Sequence, residues 1–599
     1  MDPAPVLHDC LAGLTRGISV YTDAMGILQD PGTGDATPPD HYGQVAGALA
    51  LYLREGVDPG WQKLLNAREA KPGRELGHAP FNRFLLLLFR RALEIRDPSS
   101  EALELVTREQ SRCRLVRRYP SNNWTLLAGL CELLESNQSV KAAKIEASLI
   151  QSLDAWLTPE GGFVDFPYRE SKNQRGATPI AYHHKALFIA TVAAAVTGSP
   201  AWMDRVERMM RWALMCWDGH GHVGGLGRSN HALFGDACLV ASLVMLGFSQ
   251  GDRPQNPAQQ MLQGILRRWC SQQRQDGLIG LNPSGDERAG WDGYMYLSVY
   301  NAWTAAVLSW GLHAAPSMEW TRERAFWRDE APGNPLKHDP CAGICRCGNP
   351  TSAFMLINTE GQIPQAFANG AVELRYSGGL PFHLTWQGRL LCPPPVRLAV
   401  ADLLACPARA GWTPVFQASD QMLYGLTDWV EEACVESDEI VEIRLTGIPR
   451  QLIRDPVEGL LGRVRAALDW RILDGRLGRS AVLKRSLLTG LEARLHIRFH
   501  KHRPQLDWEM ALIPGETGNI RWLNPGAHAL LSDTLPAQAH VVIRGEGLEE
   551  RDADAASCWI EHPMDASLPG AIGRCLEPLL LQGGASHPLM LKGRLAWSL

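Results

Sequence analysis

The sequence predicts two regions of different fold class: an N-terminal toroid of paired helices, of the (α/α)6 type and either complete or incomplete, followed by a C-terminal antiparallel β-sandwich. Up to residue 313, apolar side chains recur at helical spacing, and helices with one apolar stripe alternate with helices that are apolar nearly all round. The openings of the second kind recur roughly every 40 to 60 residues, a spacing typical of repeated helical hairpins. Beyond residue 340 the apolar period changes to the alternation of strands.

The predicted boundaries follow from these changes of period. A chain of 599 residues is too long for one core, so several domains are expected. We assign residues 1–313 to the helical toroid and 341–599 to the β-sandwich. Residues 314–340 are rich in proline and charge and are predicted to be a linker. The whole is an α+β multidomain chain.

Two kinds of helix are predicted in the first region. The segments ending at Trp156 and Trp269 carry one apolar stripe and should form an outer layer; Asn256-Pro257 and Ser199-Pro200 are typical helix starts. Four segments are apolar on every side and should form an inner layer: Leu126–Leu134, Ala186–Val196, Ala237–Leu246 and Trp303–Leu312.

A repeated turn connects the outer helices to the inner ones. The three clearest examples place a glycine shortly after a tryptophan, at Gly161, Gly219 and Gly277. Polar and aromatic residues then open six apolar helices: His41-Tyr42-Gly43-Gln44, Phe81-Asn82-Arg83, Asn122-Asn123-Trp124, Tyr182-His183-His184-Lys185, Ser229-Asn230-His231 and Asp292-Gly293-Tyr294. In a closed ring these openings would meet at one end of the barrel, which we call the ring mouth.

Strand patterns dominate the second region. The clearest is Arg494–His500, which alternates strictly between polar and apolar residues. Val396–Leu404 is compatible with a short helix. The other predicted strands are Phe354–Ile357, Val372–Tyr376, Ile440–Leu445 and Ala467–Ile472.

Composition excludes several classes of function. With 59 basic and 64 acidic residues the chain lacks the basic excess of a nucleic-acid-binding protein. The apolar run Val45–Leu53 is too short for a membrane span. The segment MDPAPVLHDC does not resemble a secretory signal, and the 14 cysteines show no disulfide-framework spacing, so a cytoplasmic location is expected.

The arrangement and two short motifs resemble a known enzyme group. A toroid followed by a β-sandwich, with Asn122-Asn123-Trp124 and Tyr182-His183-His184 opening inner helices, resembles polysaccharide lyases of the heparinase II/III, alginate lyase and chondroitin lyase type. The resemblance implies β-elimination on a glycan that contains uronic acid. This chemistry needs a donor that neutralises the sugar carboxylate, a base that removes the C5 proton and an acid that protonates the departing O4.

The resemblance also implies roles for the ring-mouth residues. Asn123, or Asn122, would hold the carboxylate with Arg228. His184 or His183 would act as the base or position the base. Tyr182 or Tyr294 would donate the proton. The residues expected to contact the substrate are His41, Asn82, Asn122, Trp124, His183, Asn230, His231, Trp291 and Asp292. The expected partner is an anionic polysaccharide or oligosaccharide, with neither nucleic acid nor membrane.

Other interpretations compete with these roles. A glycoside hydrolase would need two carboxylates flanking the bond, for which Asp165 and Asp292 are the best placed of Asp40, Asp165, Asp236, Glu287 and Asp292. A non-catalytic carbohydrate-binding protein is the third possibility. Asn122 has the sequence position of a simple helix cap, and His183 and His184 point about 100° apart, so at most one should face the pocket.

Neither a metal nor another cofactor is predicted. Cys216, His220, His222 and His231 match no tight ligand spacing, and the three cysteines between Cys341 and Cys347 lack a clear fourth ligand. A basic stripe along the predicted strand at 494–502 is either a solvated face or a charged wall for an acidic polymer. It consists of Arg494, His496, Arg498, His500 and His502.

Overall fold

The computed structural model covers the chain in two compact units. One comprises Met1–Pro167, Thr178–Gly224 and Ser229–Leu336; the other is built on Lys337–Leu599 and includes Gly225–Arg228. The structure describes all residues except 1, 39–40, 56–59, 70–77, 97–100, 117–118, 120, 137–138, 166–178, 229–232, 250–255, 282–294, 319–337, 350–352, 362–370, 387–388, 392–394, 454–458, 474–476, 478–484, 504, 516–518, 526–530, 533–536, 546–547, 553–558, 563–570, 575–577, 582–588 and 598–599.

The first unit is helical. Its inner helices are α2 (Gly43–Glu55), α4 (Ala79–Arg96), α6 (Asn122–Glu135), α8 (Ile180–Thr197), α10 (Leu233–Met245) and α12 (Leu297–Ala314). Its outer helices are α1 (Pro3–Val20), α3 (Gly60–Glu69), α5 (Glu101–Arg112), α7 (Ser139–Trp156), α9 (Pro200–Met215) and α11 (Pro257–Gln272).

These helices form a closed double ring. Each inner helix contacts the next inner helix along the chain, and α12 contacts α2, which closes the inner ring. Each inner helix also contacts the outer helix that follows it, and α12 contacts α1 in the same way. The predicted (α/α)6 toroid is therefore confirmed and complete, and each of the six predicted openings leads into one inner helix.

Burial explains the two kinds of helix. Among the described residues, every side chain of α10 is buried, and Trp303 of α12 is fully enclosed. Helix α8 is long and apolar enough to cross a membrane by composition, yet 78% of it is buried inside the protein, as expected for an inner helix. The outer helix α11 instead buries one stripe, and its predicted cap is confirmed because the Asn256 side chain accepts from the Ala258 N–H.

The repeated turns pack closely against neighbouring outer helices. Short antiparallel bridges form the turns at Leu157–Phe163, Trp217–Val223 and Gln273–Ile279. Gly161 and Gly277 adopt φ values of 99° and 89°, which strongly favour glycine. A Cβ on Gly161 would lie 2.5 Å from the Arg208 carbonyl oxygen of α9. A Cβ on Gly277 would lie 2.4 Å from the Gly13 carbonyl oxygen of α1, so the last turn rests on the first helix.

The second unit consists mainly of antiparallel sheets. The five-stranded first sheet has the order β1-β2-β3-β5-β6 and contains β1 (His338–Asp339), β2 (Ile344–Gly348), β3 (Ala353–Asn358), β5 (Leu380–Trp386) and β6 (Arg389–Leu390). The seven-stranded sheet has the order β10-β11-β13-β14-β22-β17-β18 and contains β10 (Val430–Glu436), β11 (Ile440–Gly447), β13 (Leu491–His500), β14 (Gln505–Pro514), β17 (Ala537–Gly545), β18 (Leu548–Asp552) and β22 (Leu589–Trp597).

Three further sheets and two helices complete the described part of the unit. The strands of the third sheet, in the order β12-β9-β8-β15-β21, are β8 (Val415–Gln417), β9 (Leu423–Gly425), β12 (Arg450–Gln451), β15 (Ile520–Trp522) and β21 (Leu579–Leu581). The remaining elements are β4 (Ala371–Glu373), β7 (Arg397–Ala399), β16 (Leu531–Ser532), β19 (Trp559–His562), β20 (Ala571–Arg574), α13 (Val400–Ala405) and α14 (Gly459–Arg471).

One apolar core joins the three larger sheets. It includes Met355 of β3, Ile497 of β13 and Phe416 of β8, all at most 2% exposed. This packing confirms the predicted antiparallel sandwich. The strand predicted at Ala467–Ile472 is wrong, because this segment lies largely in helix α14. Short apolar runs do not separate strand from helix by periodicity alone, and alanine, leucine and arginine favour the helix.

Three residues of the basic stripe lie beside carboxylates on the accessible face of β13. The side chains of Leu491–His500 alternate between buried and accessible, as predicted. His496 lies 3.0 Å from Glu442, and His500 lies 2.9 Å from Asp507. Arg494 lies 3.2 Å from Glu492. This face therefore carries both signs of charge, which favours the solvated face over a wall for an acidic polymer.

Candidate functional site at the ring mouth

An arc of aromatic rings runs along the openings of α12, α2, α4 and α6. We call the five side chains Tyr296, His41, His78, Trp124 and Tyr119, in this spatial order, the aromatic arc. Their ring centroids are separated in turn by 5.1, 4.4, 5.4 and 5.6 Å. His41 is buried and the other four are half-buried, so the arc presents accessible ring surface at the ring mouth.

A second layer of buried aromatic rings supports the arc. Tyr42 stacks on Phe81 at a centroid distance of 4.7 Å, and Trp303 packs against both at 5.4 and 5.8 Å. Phe81 also contacts His78 and Trp124 of the arc at 6.0 and 5.4 Å. Offset and edge-to-face contacts of this kind fix ring orientation, so the arc is held rigidly by the inner helices.

A buried lysine lies beside this aromatic layer. Lys185, in the second turn of α8, is 1% exposed, and its Nζ lies 3.8 Å from the centroid of Phe81. The same Nζ donates a 2.7 Å hydrogen bond to Oδ1 of Asn123. Burial lowers the pKa of Lys185 to about 7, while nearby Cys238 and Asp165 act in the opposite direction. The ammonium group therefore titrates near neutral pH instead of remaining fully charged.

The amide of Asn123 is already fully engaged. Its Nδ2 donates to Oδ1 of Asp165 at 2.5 Å and to Oγ of Ser121 at 3.2 Å, while its Oδ1 accepts from Lys185. The backbone N–H of Asn123 also donates to Asp165. Asn123 thus belongs to a buried chain, Lys185–Asn123–Asp165, which leaves it no amide hydrogen for the substrate carboxylate that the sequence assigned to it.

Two other predicted asparagines bond to backbone groups. Asn122 is buried, and its Nδ2 donates to the Val164 carbonyl at 2.7 Å. Asn122 is not the N-cap of α6, because that position belongs to Ser121. Asn82 is fully buried, and its Nδ2 donates to the His78 carbonyl at 3.4 Å. Neither amide presents itself to a substrate.

The paired histidines of α8 are enclosed. His183 accepts from the Phe163 N–H at Nδ1, at 3.1 Å, and its Nε2 lies 3.0 Å from the Met209 carbonyl. Both ring nitrogens are therefore hydrogen-bonded to backbone groups, and burial lowers the pKa of His183 to about 3. His184 is 1% exposed, and burial lowers its pKa well below the usual value. His183 therefore has a structural role. The ring of His184 is not accessible, which does not fit the role of base expected for it.

The remaining predicted residues divide into three groups. Tyr182 is half-buried in the first turn of α8, and Trp124 belongs to the aromatic arc, in line with their predicted location at the ring mouth. Arg228 belongs to the second unit, where its backbone N–H donates to Oη of Tyr376 at 3.0 Å. Residues that lie outside the described part of the chain are Asn230, His231, Trp291, Asp292 and Tyr294, together with the hydrolase candidates Asp40 and Glu287.

Asp165 and Asp236, the hydrolase candidates that the structure describes, serve structural purposes, and so does Asp30. Asp165 caps α6 through the bonds already given. Asp30 caps α12 in the same manner, because its Oδ2 accepts from both the N–H and the hydroxyl of Ser298 at 2.7 Å. Asp236 forms a largely buried ion pair with Arg268 at 2.5 Å. Among the described residues, no group of three or more His, Cys, Asp or Glu is arranged to hold a metal ion.

Two members of the arc were missed in the sequence. His78 and Tyr119 lie just before the first residues of α4 and α6, as His41 lies just before α2. Their signal is therefore positional: an aromatic or imidazole side chain within three residues of an inner-helix start. The predicted openings began too late at α4 and α6 to include them, because polar motifs inside the helices were the more conspicuous feature.

Comparisons with known proteins find similar folds among solved structures. No protein-family model matches the chain, and no curated protein matches it in sequence. A heparan sulfate lyase from Pedobacter heparinus is 10% identical, with a TM-score of 0.45 over 92% of this chain and 75% of the other. An α-1,6-mannanase from Salegentibacter sp. HEL1_6 is 15% identical, with a TM-score of 0.38 over 52% of this chain and 100% of the other. Cellobiose 2-epimerase from Spirochaeta thermophila is 12% identical, with a TM-score of 0.37 over 52% and 98%.

Proposed function

We propose that this protein is an enzyme that cleaves a glycan containing uronic acid by β-elimination at the ring mouth. The observation that carries the proposal is the aromatic arc, with the touching rings of His41 and His78 at its centre. The arc lies where the inner helices begin, and its rings are held by a packed layer of further aromatic side chains. It thus combines a binding surface with groups that transfer protons.

The arc suits an extended sugar chain. Partly exposed aromatic rings present flat apolar faces with polar tips, a combination that matches the apolar faces and hydroxyl edges of pyranose rings. The sequential ring spacings of 4.4 to 5.6 Å make this surface continuous from Tyr296 to Tyr119. An oligosaccharide can therefore contact several of these rings at once.

The local chemistry favours elimination over hydrolysis. In elimination a base removes the proton from C5, the C4–O4 bond breaks, a C4–C5 double bond forms and an acid returns a proton to O4. Imidazole and phenol groups suit these transfers, and the described ring mouth offers His41, His78 and Tyr182. Hydrolysis needs two working carboxylates, whereas both candidates that the structure describes are engaged, Asp165 as a cap of α6 and Asp236 in its ion pair with Arg268.

We assign the base role to the His41–His78 pair and the acid role to Tyr182. Tyr294, which the sequence also indicates as a proton donor, remains a proposed alternative to Tyr182. Lys185 and the start of α8, which has no side-chain cap, add positive potential near the ring mouth. This potential favours an anionic sugar and the negative charge that develops when C5 loses its proton.

A substrate panel tests the reaction class. Purified protein is incubated with alginate, glucuronan, heparinoids and chondroitin, and both ultraviolet absorbance and new reducing ends are recorded. Elimination predicts that both signals rise together, because each cleavage creates one double bond and one reducing end. Reducing ends without absorbance would refute the lyase proposal in favour of a hydrolase. Binding without either signal would indicate a carbohydrate-binding protein.

The binding surface has its own test. Trp124→Ala removes the largest ring of the arc and should raise KM or weaken glycan affinity by roughly tenfold, on the scale of 1 to 2 kcal/mol for a lost aromatic contact. Trp156→Ala is the matched control, because Trp156 is also half-buried but lies on the outer helix α7 against Phe163. Equal affinity losses in both variants would contradict a glycan site on the arc.

A further inference from the structure

A cluster of three thiols lies between two sheets of the second unit, and it belongs to no part of the ring mouth. Sγ of Cys345 lies 3.4 Å from Sγ of Cys434 and 3.9 Å from Sγ of Cys347. Cys345 and Cys347 are on β2 of the first sheet, whereas Cys434 is on β10 of the seven-stranded sheet. From this geometry we propose that Cys345 and Cys434 are an oxidation site that closes to a disulfide joining the two sheets.

The positions of the two thiols suit this reaction. Cys345 is 2% exposed and part of the apolar core, while Cys434 is partly exposed and packs against that core. A small oxidant therefore reaches Cys434 first, and Cys345 is already in contact to complete the bond. Since the two residues are far apart in the chain, a bond between them would close a long loop and restrict the unfolded chain strongly.

The reaction balances with a small disulfide such as oxidised glutathione as the oxidant. Cys434, as its thiolate, attacks one glutathione sulfur, so a mixed disulfide forms and one glutathione leaves. Cys345 then attacks the Cys434 sulfur and releases the second glutathione. Two thiols have been oxidised, the glutathione disulfide has been reduced to two thiols, and the protons lost from the cysteines are taken up by the glutathione thiolates.

The surroundings favour the closed bond over the open thiols. The hydrogen bond with Cys345 and burial raise the pKa of Cys434. The hydrogen bond with Cys347 and burial raise the pKa of Cys345, while its contact with Cys434 acts in the opposite direction. Neither sulfur is thus stabilised as a thiolate, and a dithiol without that stabilisation forms a disulfide that resists reduction. The contact of His338 with Glu431, at 3.1 Å, already joins β1 and β10 beside the thiols.

The disulfide would fasten an edge strand. β10 is the terminal strand of the seven-stranded sheet, and its pairing with β11 shifts register between Glu431 and Ala433. Among the described strands none pairs with its open edge, and edge strands of this kind separate more easily than central ones. A bond from Cys434 to Cys345 fixes β10 to β2 and should slow its local opening.

The test uses the full-length protein in glutathione redox buffers, with thiol alkylation and peptide mass spectrometry. We expect a Cys345–Cys434 cross-linked peptide in oxidising buffer, its loss in Cys434→Ser, and a glutathione adduct on Cys434 in Cys345→Ser. Cys406→Ser, which removes another partly exposed thiol of the same unit, should leave the cross-link unchanged. The wild-type Tm should rise by several degrees on oxidation, and that rise should vanish in Cys434→Ser.

Two results would overturn the proposal. One is a wild-type protein whose Cys345 and Cys434 both remain alkylatable after equilibration in the most oxidising buffer. The other is a cross-link that joins Cys345 to Cys347 and leaves Cys434 free. Circular dichroism of each serine variant verifies that it is folded, and Cys347→Ser, which should retain the cross-link, provides a second folded variant if Cys345→Ser is unstable.

Discussion

At the scale of single residues, Lys185 is the least ordinary side chain in the helical unit. An ammonium group that is 1% exposed has lost nearly all its hydration, and its hydrogen-bond acceptor is a neutral amide. The carboxylate of Asp165 lies on the far side of that amide. The three side chains connect the starts of α6 and α8. Burying the charged ammonium group of Lys185 costs free energy of folding, and this cost depends on pH.

That cost gives a prediction for Lys185→Met. Burial lowers the folded-state pKa to about 7, whereas the unfolded chain keeps a value near 10.4. Between these values the unfolded state binds more protons, so the free energy of unfolding should rise with pH, by at most about 1.4 kcal/mol per pH unit. Urea unfolding from pH 7 to 9 should show this rise in wild type and in Lys144→Met, an exposed control, but not in Lys185→Met. A difference in unfolding free energy between wild type and Lys185→Met that does not change with pH would contradict this prediction.

Tyr182 gives the second prediction at this scale. If its phenol protonates the departing O4, Tyr182→Phe should lower kcat by about 10²-fold or more and change KM little, because general acid catalysis is worth roughly that factor. Tyr119→Phe is the control, since the Tyr119 hydroxyl accepts from the Val116 N–H at one end of the arc. Steady-state rates on the substrate identified by the panel measure both, and equal losses in the two variants would refute the assignment.

The sequence could locate the site better than it could assign its roles. The pair Asn122-Asn123 was visible as a polar opening, but the acceptor that occupies Asn123 lies 42 residues away in the chain. No local pattern reveals that the Asn123 amide is already engaged. His183 shows the same difficulty, because its two backbone partners, at Phe163 and Met209, come from different elements.

At the scale of elements, helix periodicity carried most of the prediction. Each of the six inner helices begins within three residues of a predicted opening, since an inner helix is apolar on every side and few other structures share that pattern. The error at Ala467–Ile472 arose where a short apolar run lacked a decisive period. The capping residues were harder to predict than the helices themselves. Helices α6 and α12 are capped by Asp165 and Asp30, which lie on other loops of the chain.

The repeated turns give a prediction with an internal control. Gly161 and Gly198 both have positive φ, at 99° and 65°, so alanine is strained at either position. A Cβ at Gly161 meets the Arg208 carbonyl at 2.5 Å, whereas a Cβ at Gly198 meets nothing within 4 Å. We expect Gly198→Ala to cost about 1 kcal/mol of unfolding free energy and Gly161→Ala to cost at least about 1 kcal/mol more. Denaturant melts measure both, and equal costs would show that the turn does not depend on this close contact.

At the scale of the whole helical unit, ring closure is the defining property. α12 contacts both α1 and α2, and the last described turn rests on α1 at Gly277 and Gly13. The first and last helices of the unit therefore pack directly against each other. Such closure could be expected from six openings, but the sequence does not show which helix meets which.

Closure predicts a localised effect for Gly277→Ala. The added methyl would lie 2.4 Å from the Gly13 carbonyl, so α1 must move outward. Hydrogen exchange should show faster exchange in α1, while α9 keeps its wild-type protection. Gly161→Ala should give the converse pattern, because its methyl group meets α9. Uniform loss of protection throughout the unit in both variants would argue against local contacts at these turns.

The closed ring also removes a requirement that open helical arrays must meet. A linear array has two terminal repeats, and each must cover its outer apolar flank with polar residues to stay soluble. Here α12 and α1 cover each other, so no hairpin is terminal. The order of hairpins in space is cyclic even though the chain is linear, and the position of the N-terminus is one choice among six. A toroid whose chain began at α3, with α2 placed last, would bury the same apolar surfaces and present the same arc.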